Sequence, residues 1–431
     1  MNTAAGDNPT DDRLDALRRR GDAEADAVAA RLAAARPDLD PHQLIRAALD
    51  ELRRERMRTR VAAAAPTAAG TETTVAAASA SMSESTKVVR DWFVTGPQLP
   101  EWVDRRRLAH GQQVFGRWSL PIAASLFCAS LPFTYAADKG VQVLVLTSDL
   151  ATNNLHRRIG ETAQMLVDVT DLTVGDYGGV TFTGRAYMTA RGVRLLHAVI
   201  RRSLVGHERW NDEWGHPINQ EDLLGTLFAF SIVVFDALGH LGVSLTDDER
   251  SAYHHLWNVL GYLLGVDETL LPMDVATART WEHRIAERQQ RGDGAAGRRL
   301  MAALLADMEL SMPIGLRKLP RSLVRQVLPD AVATRIGVPA AAWWAPALDL
   351  VAAIGRRMTR LDGVRRIVLF PLRFVGRAVI RGYIDGAVSG APPFRVDDEL
   401  VEVWRLERSR LRSLMSSRRR RARVRSLRGS S

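Results

Sequence analysis

The sequence predicts an all-α protein: a single large helical domain with globin-like helix packing, a flexible N-terminal extension and a basic C-terminal extension. Apolar residues recur at helical spacing through most of the chain, and several segments begin with good N-cap residues. Strand-like alternation is rare; VQVLVLT at 141–147 is the best candidate, and it could equally be a buried helix. The composition, 46% hydrophobic and 25% charged, is that of a globular protein.

The helix predictions follow the chain in order. At 156–169 one face carries Arg158, Thr162, Met165 and Val169, with Glu161 beside them. At 191–204 an apolar stripe is accompanied by four arginines on a flank. Asn219 is a good N-cap for a long apolar helix ending near 239, and Thr246 with Glu249 forms a capping box for the next helix. The adjacent His254 and His255 point in different directions from this last helix, so we expect one of them at the surface.

Composition divides the chain into four segments. Residues 1–60 are polar and rich in Ala and Arg, and we expect a helical N-terminal extension there. Residues 61–86 are almost entirely Ala, Thr, Ser and Gly, which predicts a linker because such a stretch cannot bury enough apolar surface to offset its ordering entropy. The main helical domain spans 87–407, and an Arg-rich tail at 408–431 is expected to be disordered.

Charge is concentrated in the tail. The chain has 59 basic and 49 acidic residues, a net charge of +10, and residues 408–431 hold ten arginines and no acid. Because the remainder is neutral, we expect no specific nucleic-acid partner. Four consecutive arginines at 418–421 follow Leu411, Leu414 and Met415, which predicts peripheral contact with an anionic membrane; the alternative is a solvated terminus.

The compartment is predicted from what the sequence lacks. Its start, MNTAAGDNPTDD, has no export signal, and no run of ~18 uncharged apolar residues is present. We therefore expect a cytoplasmic protein, with peripheral membrane contact at most. Cys128 is the only cysteine, so an intramolecular disulfide and thiolate-rich metal sites are excluded, and we expect it to be a packed, inert thiol.

One histidine stands out. On the helix at 191–204, His197 lies within the stripe formed by Val193, Leu196, Ile200 and Leu204. It is either a satisfied core histidine or an axial haem ligand, since haem iron takes a neutral imidazole in an apolar environment. Arginines of the same helix, Arg201 among them, could then pair with the propionates. The helix face at 156–169 also allows two interpretations: it lines a ligand pocket, or its polar side chains form a structural network.

Three strings resemble the latex-clearing-protein superfamily, which includes the rubber oxygenases and the fungal endoplasmic-reticulum-bound (MpaB-like) oxygenase of mycophenolic acid biosynthesis. They are GRAYMTARGVRLLHAVIRRSL, GHPINQEDLLGTLFAFS and DDERSAYHHLWNVLGYLLGVDETLLP, and the resemblance covers about 95–340. It implies a mainly helical protein that binds haem b and uses dioxygen to cleave isoprenoid double bonds. The family's haem-ligating histidine lies in an RLxHA motif, which implies that His197 is the iron ligand, and Thr226 corresponds to a position near the pocket.

The resemblance also implies which residues line the opposite side of the haem. The rubber-cleaving branch has an Arg-x-x-Lys-Thr segment that lines the haem face; here it reads Arg158-Ile-Gly-Glu161-Thr162. A carboxylate in place of the lysine reverses the local charge and cannot donate a hydrogen bond while ionised. Rubber itself is therefore disfavoured as the substrate.

These observations predict a haem b-dependent oxygenase that acts with dioxygen on an intracellular isoprenoid-like or lipid-like molecule. Arg158, Glu161 and Thr162 are the predicted catalytic residues. His197, as iron ligand, is the predicted cofactor-binding residue together with Arg201 and Thr226. One alternative is a haem or lipid binding protein without turnover. Another is a helical interaction protein with a basic tail, in which His197 is merely packed.

Overall fold

The computed structural model describes residues 9–36, 83–96, 99–149, 154–170, 185–310, 312–340 and 344–359, and single positions at 38, 43, 47, 50 and 51. Side chains at 148, 149, 154–159, 161, 170, 185, 358 and 359 lie outside this description. Every regular element in the described residues is helical, so the predicted all-α class is confirmed. Nearly all of the predicted linker and the whole Arg-rich tail lie outside the described residues.

The helices are α1 (Asp11–Arg18), α2 (Ala23–Ala35), α3 (Glu84–Thr95), α4 (Arg105–Arg117), α5 (Ser119–Ser125), α6 (Leu131–Tyr135), α7 (Val141–Asp149), α8 (Asn154–Thr170), α9 (Arg185–Leu204), α10 (Gln220–His240), α11 (Asp247–Leu263), α12 (Val275–Gln289), α13 (Ala295–Leu310), α14 (Leu319–Val327), α15 (Asp330–Arg335) and α16 (Ala345–Thr359). Short 3₁₀ turns lie at Asp212–Trp214, Glu268–Leu270 and Ile314–Leu316, and a π-helical turn at Leu126–Ser130 joins α5 to α6. The strand-like run at 141–147 is helical, as part of α7.

The predicted helix starts are confirmed in atomic detail. The side chain of Asn219 accepts a hydrogen bond from the backbone N–H of Asp222 at 3.0 Å and begins α10. At α11 the Thr246 hydroxyl accepts from the Glu249 N–H at 3.1 Å, and the Glu249 carboxylate accepts from the Thr246 N–H at 3.0 Å. These caps satisfy donors that the first turn of a helix leaves without partners.

Helix α10 is the centre of the domain. It packs against α1, α11 and α12 on one side and against α5, α6, α14 and the π turn on another. Its residues contribute to both the larger hydrophobic core and a second core formed with α13–α15. This burial on several sides explains why most of the helix is apolar, although Thr226 and Asp236 are exposed. It is long and apolar enough to span a bilayer, but 67% of its apolar window is buried inside the protein.

The apolar run around Cys128 follows a sharp bend at Trp118. Helix α4 and the segment Ser119–Tyr135 meet at 86°, and the π turn sits just before Pro132, which cannot continue a regular hydrogen-bond ladder. Cys128 is buried in this turn, and burial raises the pKa of its thiol to about 12. The expectation of a packed, inert cysteine agrees with this position.

The described part of the N-terminal extension packs on the main domain. Leu14 of α1 and Leu32 of α2 have no exposed surface, and both belong to the larger core. Helix α2 lies along α9 and α3, and α1 lies against α10. Residues 23–35 therefore line the helix that carries His197, and residues 11–18 line α10.

Candidate functional site

Helix α9 has two contrasting sides, and His197 lies at their boundary. Val193, Leu196 and Ile200 flank the imidazole on one side, and all three, like His197 itself, are half-buried. Arg194 and Arg201, three residues before and four residues after the histidine, flank it on the other side and are buried. The apolar stripe is thus partly accessible, whereas the charged side of the helix is enclosed by protein.

Arg194 is enclosed by the N-terminal segment. Its Nε and one terminal nitrogen donate to the two carboxylate oxygens of Asp22 at 2.6 and 2.8 Å, and the same terminal nitrogen also donates to Glu24 at 2.9 Å. Burial alone would lower the pKa of Arg194, but the hydrogen bonds and charges of Asp22 and Glu24 raise it overall. One turn earlier, Arg191 stacks over the Trp92 ring at 3.5 Å and donates to the Trp92 carbonyl at 2.7 Å.

Arg201 has a different set of partners. It donates to the backbone carbonyls of Pro217 and Ile218, both at 3.0 Å, and pairs with Asp26. Ile218 has a φ of 49°, a conformation that is costly for a β-branched residue, and it directly precedes the N-cap of α10. Arg201 therefore holds a strained backbone segment in place, and its guanidinium is already engaged by the protein.

Helix α8 packs beside α9. The Thr189 hydroxyl donates to the Asp168 carboxylate at 2.7 Å, joining the end of α8 to the beginning of α9. Arg158, Glu161 and Thr162 all lie on α8 as the sequence predicts; Thr162 is half-buried, and the side chains of the other two lie outside the described residues. The third predicted cofactor-binding residue, Thr226, lies on α10, where it is exposed and donates to the Asp222 carbonyl at 2.8 Å.

The expectation that one of the adjacent histidines is at the surface is wrong: both are buried. His254 is 1% exposed, and its Nε2 lies 2.8 Å from the Pro272 carbonyl oxygen. His255 is 7% exposed; its Nε2 accepts a hydrogen bond from the Asp104 N–H at 3.1 Å. The surface side of α11 is covered by α4 and the segment before it, which the periodicity of α11 alone does not reveal.

No group of three or more His, Cys, Asp or Glu side chains suited to a metal ion occurs in the described part of the chain. The sequence did not predict the acidic partners of the α9 arginines. Asp22, Glu24 and Asp26 lie on or just before α2, about 170 positions from the arginines in sequence, and their spacing matches an ordinary solvated helix face. Only the excess of arginine on α9 hinted that partners exist.

A family model described as "ER-bound oxygenase mpaB/B'/Rubber oxygenase, catalytic domain" matches residues 112–361, more than half of the chain. The chain belongs to this family. It is 24% identical over 205 residues to a rubber oxygenase from Streptomyces sp. (strain K30), and it spans about half the length of that curated relative, 47% of each chain. Its fold is similar to a structure of latex clearing protein LCP in the closed state, with a TM-score of 0.53 and 20% identity over 70% of this chain and 79% of that one.

The matched region contains α8, α9 and α10, and with them every predicted site residue. The residues present fit a haem group in one respect that can be examined directly. A half-buried imidazole next to half-buried Val193, Leu196 and Ile200 combines a nitrogen donor with an apolar surface, which is what a haem face requires.

Proposed function

We propose that the chain is a haem b-dependent oxygenase that acts with dioxygen on a hydrophobic, isoprenoid-like or lipid-like substrate. The observation that carries the proposal is the half-buried His197 on the apolar stripe of α9, within the region that matches an oxygenase family. In this proposal His197 is the residue that would hold the haem iron. Bound haem b would supply an iron that activates dioxygen beside an alkene.

Residues of the chain itself would bind the haem and hold His197 in position. The neutral imidazole of His197 offers a nitrogen lone pair, and Val193, Leu196 and Ile200 provide apolar contact and exclude water from that face. Arg194 and Arg201 hold α9 through α2 and the segment before α10, so we propose that Arg201 contributes to haem binding by positioning His197. We also propose that Thr226 lies near the edge of the pocket.

Helix α8 is proposed to supply the opposite side. At a rise of ~1.5 Å per residue, Glu161 lies ~10 Å along α8 from Asp168, and His197 lies ~12 Å along α9 from Thr189. Because Asp168 and Thr189 are hydrogen-bonded, a hairpin of these two helices would bring Glu161 and Thr162 level with His197. Arg158 lies one turn further along α8. The hydroxyl of Thr162 would then be a donor beside the haem, and Glu161 would add a negative charge where rubber-cleaving relatives carry lysine.

The experiment is haem reconstitution of the full chain, followed by oxygen-uptake measurements on the reduced protein with a panel of isoprenoid alkenes. Uptake coupled to an aldehyde or ketone product is the expected result. If a folded protein gives no Soret band with haem, the proposal is wrong.

Glu161 also favours the second candidate, a haem or lipid binder without turnover, because it removes the lysine of the rubber-cleaving branch. A Soret band without oxygen uptake or product would support this candidate. Glu161→Lys is then the informative variant: if the missing lysine is what prevents turnover, this substitution should restore oxygen uptake, whereas Glu161→Gln, which removes the carboxylate without supplying an ammonium group, should not.

A further inference from the structure

The turn between α13 and α14 carries apolar side chains that face outward. Leu310 is 74% exposed, Ile314 is 83% exposed and Leu316 is 37% exposed. Single exposed apolar residues are common on protein surfaces, but three within one short turn are not, and such groups mark contact sites.

This turn has a defined backbone. The Leu316 N–H donates to the Pro313 carbonyl at 2.8 Å, forming the 3₁₀ turn, and the Met312 N–H donates to the Glu309 carbonyl at 3.2 Å. At its base, the Nε of Arg321 on α14 donates to the Glu309 carboxylate at 2.7 Å. Leu310, Ile314 and Leu316 therefore lie beside backbone that is hydrogen-bonded at the end of α13 and in the 3₁₀ turn.

Cationic side chains border the apolar tip. Arg317 and Lys318 follow Leu316 directly and are both exposed, and residues 310–318 include no carboxylate. The one acid at the base, Glu309, is paired with Arg321, so its charge is compensated. The turn as a whole combines a hydrophobic tip with a positive border.

Helix α16 continues this pattern on the other side of α14, against which it packs. Leu350, Val351 and Ile354 are 62%, 63% and 50% exposed, and the exposed Arg356 and Arg357 follow in the last turn of α16. The nearby carboxylate of Asp349 accepts a hydrogen bond from Gln326 of α14 at 2.9 Å. Because α14 has nine residues, the turn at its start and the contact of Gln326 with α16 near its end lie ~13 Å apart or less.

We propose that the exposed turn at 310–318 and the exposed side of α16, together called the docking surface, bind an anionic lipid bilayer. The apolar tip enters the boundary between headgroups and acyl chains, and the arginines and lysine bind the phosphates and carboxylates of the headgroups. A bilayer fits better than a protein partner because the surface joins protruding aliphatic side chains to a cationic border, the combination that an anionic lipid surface binds. The inference does not depend on haem binding, and it concerns a different region from the tail at 408–431.

The test places a fluorescent reporter on the tip. Cys128 is buried and its thiol pKa is raised to about 12, so a cysteine introduced by Ile314→Cys in the full chain can be labelled selectively with an environment-sensitive maleimide dye. Val205→Cys is the matched control, because Val205 is 53% exposed but lies at the end of α9, outside the docking surface. With vesicles of neutral phospholipid containing about one third anionic lipid, dye at 314 should shift to shorter wavelength, and dye at 205 should not.

Vesicle co-sedimentation supplies an independent measurement. Leu310→Asp combined with Ile314→Asp should weaken partitioning by about tenfold or more, since each substitution replaces an inserting aliphatic group by a repelled charge. Val205→Asp, which adds one negative charge elsewhere, should stay within about twofold of wild type.

Four outcomes would overturn the proposal. One is sedimentation of the protein with vesicles without a response of the dye at 314, and another is no binding to vesicles at all. A shift at 314 without vesicles that grows with protein concentration would identify a second copy of the chain as the occupant. A shift without vesicles that is independent of concentration would identify another segment of the same chain.

Discussion

Replacing Asp22 by asparagine tests how strongly the N-terminal segment holds the helix that carries His197. Asp22 and Arg194 form a two-point ion pair in which the side chains are only 5% and 10% exposed. Asp22 also caps α2 by accepting from the Ala25 N–H at 3.3 Å, and asparagine retains this capacity. Asp22→Asn therefore removes the charge and keeps the cap.

The expected cost follows from the burial of Arg194. Breaking a buried ion pair by removing one partner typically costs ~3–5 kcal/mol because a charge is left without compensation. Glu24 still contacts Arg194 at 2.9 Å but is half exposed, so we expect a loss near the lower limit, about 3 kcal/mol. The matched control is Asp236→Asn: Asp236 also pairs with an arginine at two points, at 2.8 and 2.9 Å, but both side chains are about half exposed. Its loss should be roughly 0.5 kcal/mol.

Urea denaturation followed by circular dichroism measures both values, with the free energy taken from midpoint shifts at unchanged slope. If Asp22→Asn lowers the free energy of unfolding by no more than Asp236→Asn does, the N-terminal helices are not an integral part of the fold and do not stabilise the position of α9.

Three further predictions concern buried titratable groups. Burial lowers the pKa of His254 to about 4 from an ordinary 6.5, so between these values the unfolded state binds a proton that the folded state excludes. The free energy of unfolding should therefore fall by roughly 3 kcal/mol between pH 7 and pH 4. The variant His254→Asn should lose this part of the pH dependence. Burial raises the pKa of Glu282 to about 7 from 4.5, so between these values the folded state retains a proton that the unfolded state releases. The free energy of unfolding should therefore fall as the pH rises from 4.5 to 7. Glu282→Gln should be more stable than wild type at pH 8, by roughly 2 kcal/mol, and should show no gain at pH 4. Cys128 should not react with a thiol reagent at pH 8 in the native protein and should react fully in urea; rapid native labelling would contradict its burial.

Local features of the fold could be predicted from the sequence because their physical causes lie within a few residues. The capping box of Thr246 and Glu249 and the N-cap Asn219 each involve side chains and N–H groups three positions apart. The helical stripe containing His197 is equally local. A run such as VQVLVLT was ambiguous for the same reason, since a helix buried on several sides and a buried strand are both continuously apolar.

The interactions across the fold could not be predicted in this way. Arg194 and Asp22 are 172 positions apart, and nothing in either helix specifies the other as its partner. The φ of 49° at Ile218 could not be predicted either. It is maintained by Arg201 of α9, which donates to the carbonyls of Pro217 and Ile218, sixteen and seventeen positions away in sequence. His255 is buried against the segment that contains Asp104, and His254 against the segment that contains Pro272. Both contacts are properties of the packing rather than of α11 alone.

The central claim is that His197 is the haem ligand, and a haem titration of two histidine variants tests it most directly. His240 lies exposed at the end of α10, so His240→Ala is the control for loss of a histidine. We expect a Soret band of equal intensity in wild type and His240→Ala, and loss of that band in His197→Ala with an unchanged far-ultraviolet circular dichroism spectrum. A band of wild-type position and intensity in a folded His197→Ala protein would contradict the account.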